Sequence, residues 1–143
     1  MSEYTKHLTP RPELRERIID TAVKAFAAQG IKSITMDDIA TSLGISKRTL
    51  YEVFPDKETL LEECILRGQK EGDEYLKNVL ATSENVLEVL LKCYQRSIEK
   101  FHATNKKFFE DIKKYPKAYK LMTKRHDQDS EETVNFFKEG VKQ

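Results

Sequence analysis

Two short apolar-patterned runs separated by a single glycine, TMDDIATSLG and ISKRTLYEVF between Thr35 and Phe54, constrain this chain more than any other stretch. Helices of so few residues are not stable alone, because nucleation fixes several dihedral angles before propagation returns anything. They must be held by side-chain packing. Thr35-Met-Asp-Asp38 is a capping-box-like start, with Ile39, Ala40 and Leu43 following at inward spacing. Gly44 breaks that helix, Ile45 can return to the core, and Ser46 can cap a next helix whose inward residues are Leu50, Val53 and Phe54. Pro55 ends this helix and Asp56 can cap another.

The flanking sequence supplies the packing partners. Leu14, Ile18, Ala22, Ala25 and Phe26 share one helical face between Pro12 and Gln29, and Gly30 stands where a C′ glycine would end that helix. Beyond Asp56, Leu60, Leu61, Cys64 and Ile65, then Tyr75, Leu76, Val79 and Leu80, predict a long fourth helix, loosened at Gly68 and Gly72. Leu87, Leu90, Tyr94, Ile98 and Phe101 predict a fifth, started near Ser83; Phe108, Phe109, Ile112 and Tyr115 predict a sixth, closed by Pro116. Tyr119 and Met122, then Val134, Phe137 and Val141, predict helix on both sides of the polar run HDQDSEE, and spacing alone leaves open whether that run is a break. Charged residues make up 34% of the 143, and only five glycines and four prolines interrupt them, so the expected fold class is all-α. The expected organisation is a three-helix head over residues 1–55 and a helical body over 56–143.

Lys47 and Arg48 follow the Ser46 cap directly, where the free N–H groups of a helix start already carry partial positive charge. Lys57 repeats the placement after Asp56. Formal net charge is only +1, so there is no chain-wide basic field, and any anion site must be local. From Met36 to Pro55 the pattern has the physical essentials of a helix-turn-helix: a small Ala40 at the crossing, Gly44 in the turn, and Ile39, Leu43, Ile45, Leu50 and Val53 as the clamp. The anion awaited by the two cations is then DNA, with phosphates at the helix start and guanine acceptors within side-chain reach.

From about Arg15 to Leu61 the sequence resembles the DNA-binding domain of the tetracycline-repressor (TetR) family. The helix ending in AAQG, the TMDDIA start, the GISKRTLYEVF recognition helix and the following DKETLL occur together and in order. The resemblance implies a repressor, usually a homodimer, that binds palindromic half-sites of a double-stranded operator until a small-molecule effector in the C-terminal helices alters the spacing of its two heads. By position, it implies DNA-binding roles for Thr35, Ser46, Lys47, Arg48, Thr49, Tyr51 and Lys57, with Thr35, Tyr51 and Lys57 on phosphates and Lys47, Arg48 and Thr49 nearest base edges. Members of the family normally continue with two further long helices that build the dimer interface, whereas this chain stops at GVKQ. The expected body is therefore abbreviated or a fragment, with weaker self-association through the helices after Val86.

Aromatic-rich positions in the body, Tyr75, Tyr94, Phe101, Phe108, Tyr115, Tyr119 and Met122, are candidates for an effector pocket, with ordinary core as the competing reading. No Gly-rich phosphate loop, nucleophile elbow, HExxH or helix-spaced metal cluster appears, so neither an enzyme nor a cofactor or metal site is expected. Cys64 and Cys93 belong to no metal or redox spacing and read as small hydrophobes; His7, His102 and His126 are isolated from one another. No run approaches the roughly eighteen apolar residues of a membrane span, and no h-region opens the chain, so a soluble cytoplasmic protein without a membrane partner is expected. The rival function is a helical protein-interaction module that does not bind DNA.

Overall fold

The structure, a computed structural model, describes the backbone of residues 11–142 and most of their side chains. The described residues form helices α1 (Arg11–Gln29), α2 (Met36–Leu43), α3 (Lys47–Val53), α4 (Lys57–Thr82), α5 (Val86–Ala103), α6 (Lys106–Asp111) and α7 (Pro116–Lys142), with a 3₁₀ turn at Ile112–Lys114 and no strand. The all-helical expectation holds.

The head is assembled by local caps. Gly30, at φ +85°, donates its N–H to the Phe26 carbonyl at 2.8 Å and ends α1. Thr35 and Asp38 form a reciprocal capping box, the Asp38 N–H donating to Thr35 Oγ1 at 3.1 Å and the Thr35 N–H to Asp38 Oδ2 at 2.9 Å. Gly44, at φ +68°, then turns the chain so that its own N–H reaches the Thr41 carbonyl and the Ile45 N–H reaches that of Ala40, a Schellman closure. Ser46 Oγ accepts from the Thr49 N–H to start α3, and Asp56 Oδ1 accepts from the Thr59 N–H to start α4. Leu50, Ile18, Ala22, Leu60 and Leu61 are fully buried where these helices meet. Ile112 and Ala118 of the body join the same core, so the apolar interior runs from head to body without a gap.

α4 is one long helix, as the sequence predicts, and it passes Gly68 and Gly72 because packing on α5 and α7 offsets the roughly 1 kcal/mol that each interior glycine costs. Two boundaries differ from the sequence reading. α5 begins after Asn85, whose Oδ1 accepts from the Glu88 N–H, while Ser83 closes α4 by donating its N–H to the Val79 carbonyl. Pro116 opens α7 instead of closing the sixth helix: at a first helical position its missing N–H costs nothing, and α6 has already ended at Asp111. α7 then runs through the HDQDSEE stretch as one helix, although several side chains there, including those of His126 and Phe137, lie outside the described residues. His7 lies outside them altogether.

Both positive-φ glycines are required by conformation, but their surroundings differ. A Cβ at Gly44 would meet nothing within 4 Å, whereas one at Gly30 would lie 2.7 Å from Lys107 Cβ and 3.1 Å from Asp111 Oδ2. Gly44→Ala should therefore cost about 1–2 kcal/mol from left-handed backbone alone. Gly30→Ala should cost clearly more, because α6 must also move; urea unfolding of both variants checks the order.

Candidate nucleic-acid interface

α3 is anchored by one side and presented by the other. Leu50 is completely buried, which fixes the helix axially, while Lys47, Arg48 and Tyr51 are exposed at its N-terminal end and outer face. Thr49 Oγ1 lies 2.8 Å from Ser46 Oγ, so the two hydroxyls of the first turn are mutually oriented, and Ser46 Oγ also holds the Thr49 N–H. Thr35 Oγ1 is similarly engaged at the start of α2, where its residue remains exposed. Thr35, Ser46, Lys47, Arg48 and Tyr51 are thus exposed at the start of α2 and on α3, and Thr49 is half-buried among them.

Both cations of α3 hold an exchangeable carboxylate. Lys47 Nζ is 3.0 Å from Asp37 Oδ1 on α2, with both side chains about three-fifths exposed at 59% and 61%. The hydrogen bond to Asp37, reinforced by its charge, raises the Lys47 pKa above the ordinary lysine value. Arg48 Nε is 3.6 Å from Glu52 Oε1 one turn on, and the Arg48 side chain is 91% exposed. Exposed pairs of this kind contribute about 0–1 kcal/mol and give way readily to a polyanion. Asp37 comes from the neighbouring helix across the turn, a pairing that spacing within α3 does not signal.

Lys57 is placed differently. Its ammonium lies 5.8 Å from the centroid of the Tyr115 ring, and partial burial lowers its pKa against the opposing influence of Asp111 and Asp38. It sits at the seam of head and body, beside the 3₁₀ turn. Tyr115, a candidate for the effector pocket, thus faces a head lysine; burial, with Asp111 and Glu58 nearby, raises its phenol pKa.

The remaining pocket candidates do not converge. Tyr75 is half-buried between α4 and α5, its hydroxyl donating to the Lys92 carbonyl at 3.2 Å and its ring 4.9 Å from the Arg96 guanidinium. Phe108 and Met122 pack on the core. Tyr94, Phe101 and Tyr119 are exposed, the first two by 66% and 64%, which removes them from any enclosed site in this chain. The depression next to Phe101, His102 and Phe109 is shallow and open.

Comparison with known proteins bears on this geometry. Residues 18–64 match the family described as bacterial regulatory proteins, tetR family. Residues 18–64 thus carry a TetR-family domain. The chain is 33% identical over 72 residues to IcaR of Staphylococcus aureus, the negative transcriptional regulator of the biofilm operon icaADBC, a match that covers 50% of this chain and 37% of that one. It is 31% identical over 101 residues to the HTH-type transcriptional regulator YhgD of Bacillus subtilis, covering 68% of this chain and 52% of YhgD. The chain thus spans roughly a third to a half of the curated relatives it matches. In structure it is similar to a TetR-family transcriptional regulator from Mesorhizobium loti (TM-score 0.64, 24% identity, 81% of this chain and 61% of that one). It is also similar to the ketosteroid transcriptional regulator KstR2 of Mycobacterium tuberculosis (TM-score 0.57, 20% identity, 80% and 63%). These two likenesses bear on the fold alone.

The caps that position the interface have a pH signature. Hydrogen bonds from Thr35 to Asp38, and from Thr59 to Asp56, hold both carboxyls below the ordinary 3.8. A depressed folded-state pKa gives stability that is complete above the unfolded value and lost as pH falls through the folded one. Thermal unfolding between pH 6 and 2 should show an acid limb that is shallower in Asp38→Asn and Asp56→Asn, since asparagine keeps the cap and removes the titration.

Proposed function

We propose that this protein is a sequence-specific DNA-binding transcriptional repressor of the cytoplasm, released from a palindromic double-stranded operator by a small-molecule effector. The observation that carries the reading is the first turn of α3: a helix clamped by fully buried Leu50, standing clear of the core, and tipped by exposed Lys47 and Arg48 on weak ion pairs. In this reading residues up to about 55 are the head and 56–143 the regulatory body. Lys47, Arg48 and Thr49 face base edges in the major groove, and Thr35, Ser46, Tyr51 and Lys57 lie along phosphates. The effector is received by the body's interior, where Tyr75, Phe108, Tyr115 and Met122 are half-buried. No reaction is assigned; the family is one of regulators.

The outer face of α5 supports a homodimer. Leu87, Leu91, Tyr94, Ile98 and Phe101 follow one another at alternating spacings of four and three, and Leu87, Leu91, Tyr94 and Phe101 are each more than half exposed. That is the heptad spacing of a helix–helix seam, on the side of α5 opposite the buried Val89 that packs toward α4. A second copy covers it in the proposed assembly, bringing two heads to two half-sites. Leu91→Glu combined with Tyr94→Glu should shift sedimentation toward monomer while circular dichroism stays helical. A monomer already present in the unmutated chain at high concentration removes the dimer.

DNA reading is tested at two positions. Arg48→Ala should cost roughly 1–3 kcal/mol on a duplex selected from a random pool and much less on random duplex, as expected when a guanidinium reads guanine. Asp37→Asn should strengthen binding to both at low salt, because Lys47 no longer has to exchange a carboxylate for the polyanion, and the gain should fade as salt screens it. Equal losses for Arg48→Ala on selected and random duplex, in an anisotropy titration, would place α3 along the backbone instead of in the groove.

A further inference from the structure

The charge of this chain is unevenly distributed. Between Lys106 and Lys124 there are seven lysines against only Glu110 and Asp111, in a chain whose formal net charge is +1, so everything outside that segment is net acidic. Elsewhere the surface alternates signs and pairs them: Arg15 with Glu63 at 2.7 Å, Arg67 with Asp20 at 2.6 Å, Lys92 with Glu88 at 2.9 Å. A solvated face of mixed charge is the ordinary surface here, and the segment from the 3₁₀ turn into α7 departs from it.

Its position is fixed by three contacts. Asp111 accepts from the Ile31 and Lys32 N–H groups at 3.0 and 2.9 Å, which brings the turn against the loop entering α2. The Lys117 N–H donates to Glu58 Oε1 at 3.4 Å, and Lys57 lies over Tyr115, which brings it against the first turn of α4. Lys113, Lys114 and Lys117 therefore stand on the segment that is seated against the loop entering α2 and the first turn of α4. All three lysines, and Lys32 beside them, are exposed.

The nearby carboxylates are already committed to backbone donors: Asp111 to Ile31 and Lys32, Asp38 to Thr35, Asp56 to Thr59, Glu58 to Lys117. Among the described residues no carboxylate oxygen lies within 4 Å of the Lys32, Lys113, Lys114 or Lys117 ammonium. Lys117 acts on Asp56 only through longer-range charge, so these ammonium groups remain available to neutralise phosphates, and a nucleic-acid backbone so neutralised releases its own condensed counterions.

We propose that Lys113, Lys114 and Lys117 form a second phosphate-binding surface, so that the DNA footprint extends from the head onto the body and takes in backbone flanking the groove that α3 enters. The inference rests on the reading of the head as a DNA reader and adds to it a partner surface on a different part of the molecule. These lysines reach no base edge and bring affinity without sequence preference. Their contribution needs duplex beyond the half-site that the head covers.

The test uses the full chain and the variant Lys113→Gln/Lys114→Gln/Lys117→Gln, whose substitutions are all at exposed positions. Affinity is measured across a salt series on a selected duplex trimmed to the head's footprint, and on the same duplex extended by random flanks of about one helical turn. The unmutated chain should bind the extended duplex more tightly and with a steeper salt slope. The triple variant should lose that increment, its slope on the extended duplex falling by up to about 0.9 for each phosphate released. Base preference should stay unchanged in the variant and be lost in Arg48→Ala. Identical slopes for variant and unmutated chain on the extended duplex, with selected-site preference intact, overturn the flank contact and leave the head reading standing. Absence of selected-site preference in the unmutated chain overturns both.

Discussion

The C-terminal end of α1 would be an exposed helix stub were it not held by α6. A helix leaves its last carbonyls without intrahelical partners, and here the Ala27 and Ala28 carbonyls accept from the Asn105 backbone N–H and side-chain amide at 2.7 and 3.0 Å. The Asp111 carboxylate, six residues further, takes the Ile31 and Lys32 N–H groups, charge-assisted bonds of the stronger kind. Gly30 makes room for this by bringing its bare Cα against Lys107. α2 and α3 pack on α1, so their orientation toward any ligand depends in part on a six-residue helix of the body.

A second clamp acts at the other end of α1. Arg67 of α4 meets Glu16 at 2.9 Å and Asp20 at 2.6 Å, and Arg15 meets Glu63 at 2.7 Å. The Arg67–Asp20 contact is an ion pair rather than an aligned hydrogen bond, since the buried Nη1 has no partner of good geometry. α1, about 28 Å long at 1.5 Å per residue over its 19 residues, is thus held by ion pairs along its first half and by α6 at its C-terminal end. A rigid element held at two points can tilt only if one clamp yields. The buried Ile112 and Ala118, which share the head's core, oppose that from the body side.

What was legible in the sequence was what local chemistry decides. The first three helices end within about one residue of their expected limits, because Thr35, Ser46, Asp56, Gly30 and Gly44 act on neighbours three or four residues away. Farther along, the same logic misread Pro116, whose effect depends on which side of it the helix lies. Aromatic periodicity marked Tyr94 and Phe101 as inward, yet α5 carries two apolar faces, and spacing does not say which one has a partner within the chain. Asn105 and Asp111 gave no signal at all, because their partners stand 77 to 80 residues upstream. The exposure of Lys47, Arg48 and Tyr51 around the buried Leu50 was legible from helical spacing, but Asp37 as the counterion of Lys47, and Tyr115 under Lys57, required the fold.

Cys64 lies in the seam between the two clamped helices, its Sγ 4.0 Å from the Ile19 carbonyl of α1, and burial pushes its thiol up to about 12. While α1 is seated on α4, that sulfur is neither ionised at neutral pH nor accessible to a reagent. Cys93, on α5, is only partly buried. The chain consequently contains a clock and its reference: modification of Cys64 proceeds at the frequency with which α1 lifts from α4, and Cys93 reports reagent supply in the same sample. Any condition that loosens the head from the body is then readable as a ratio of two alkylation rates.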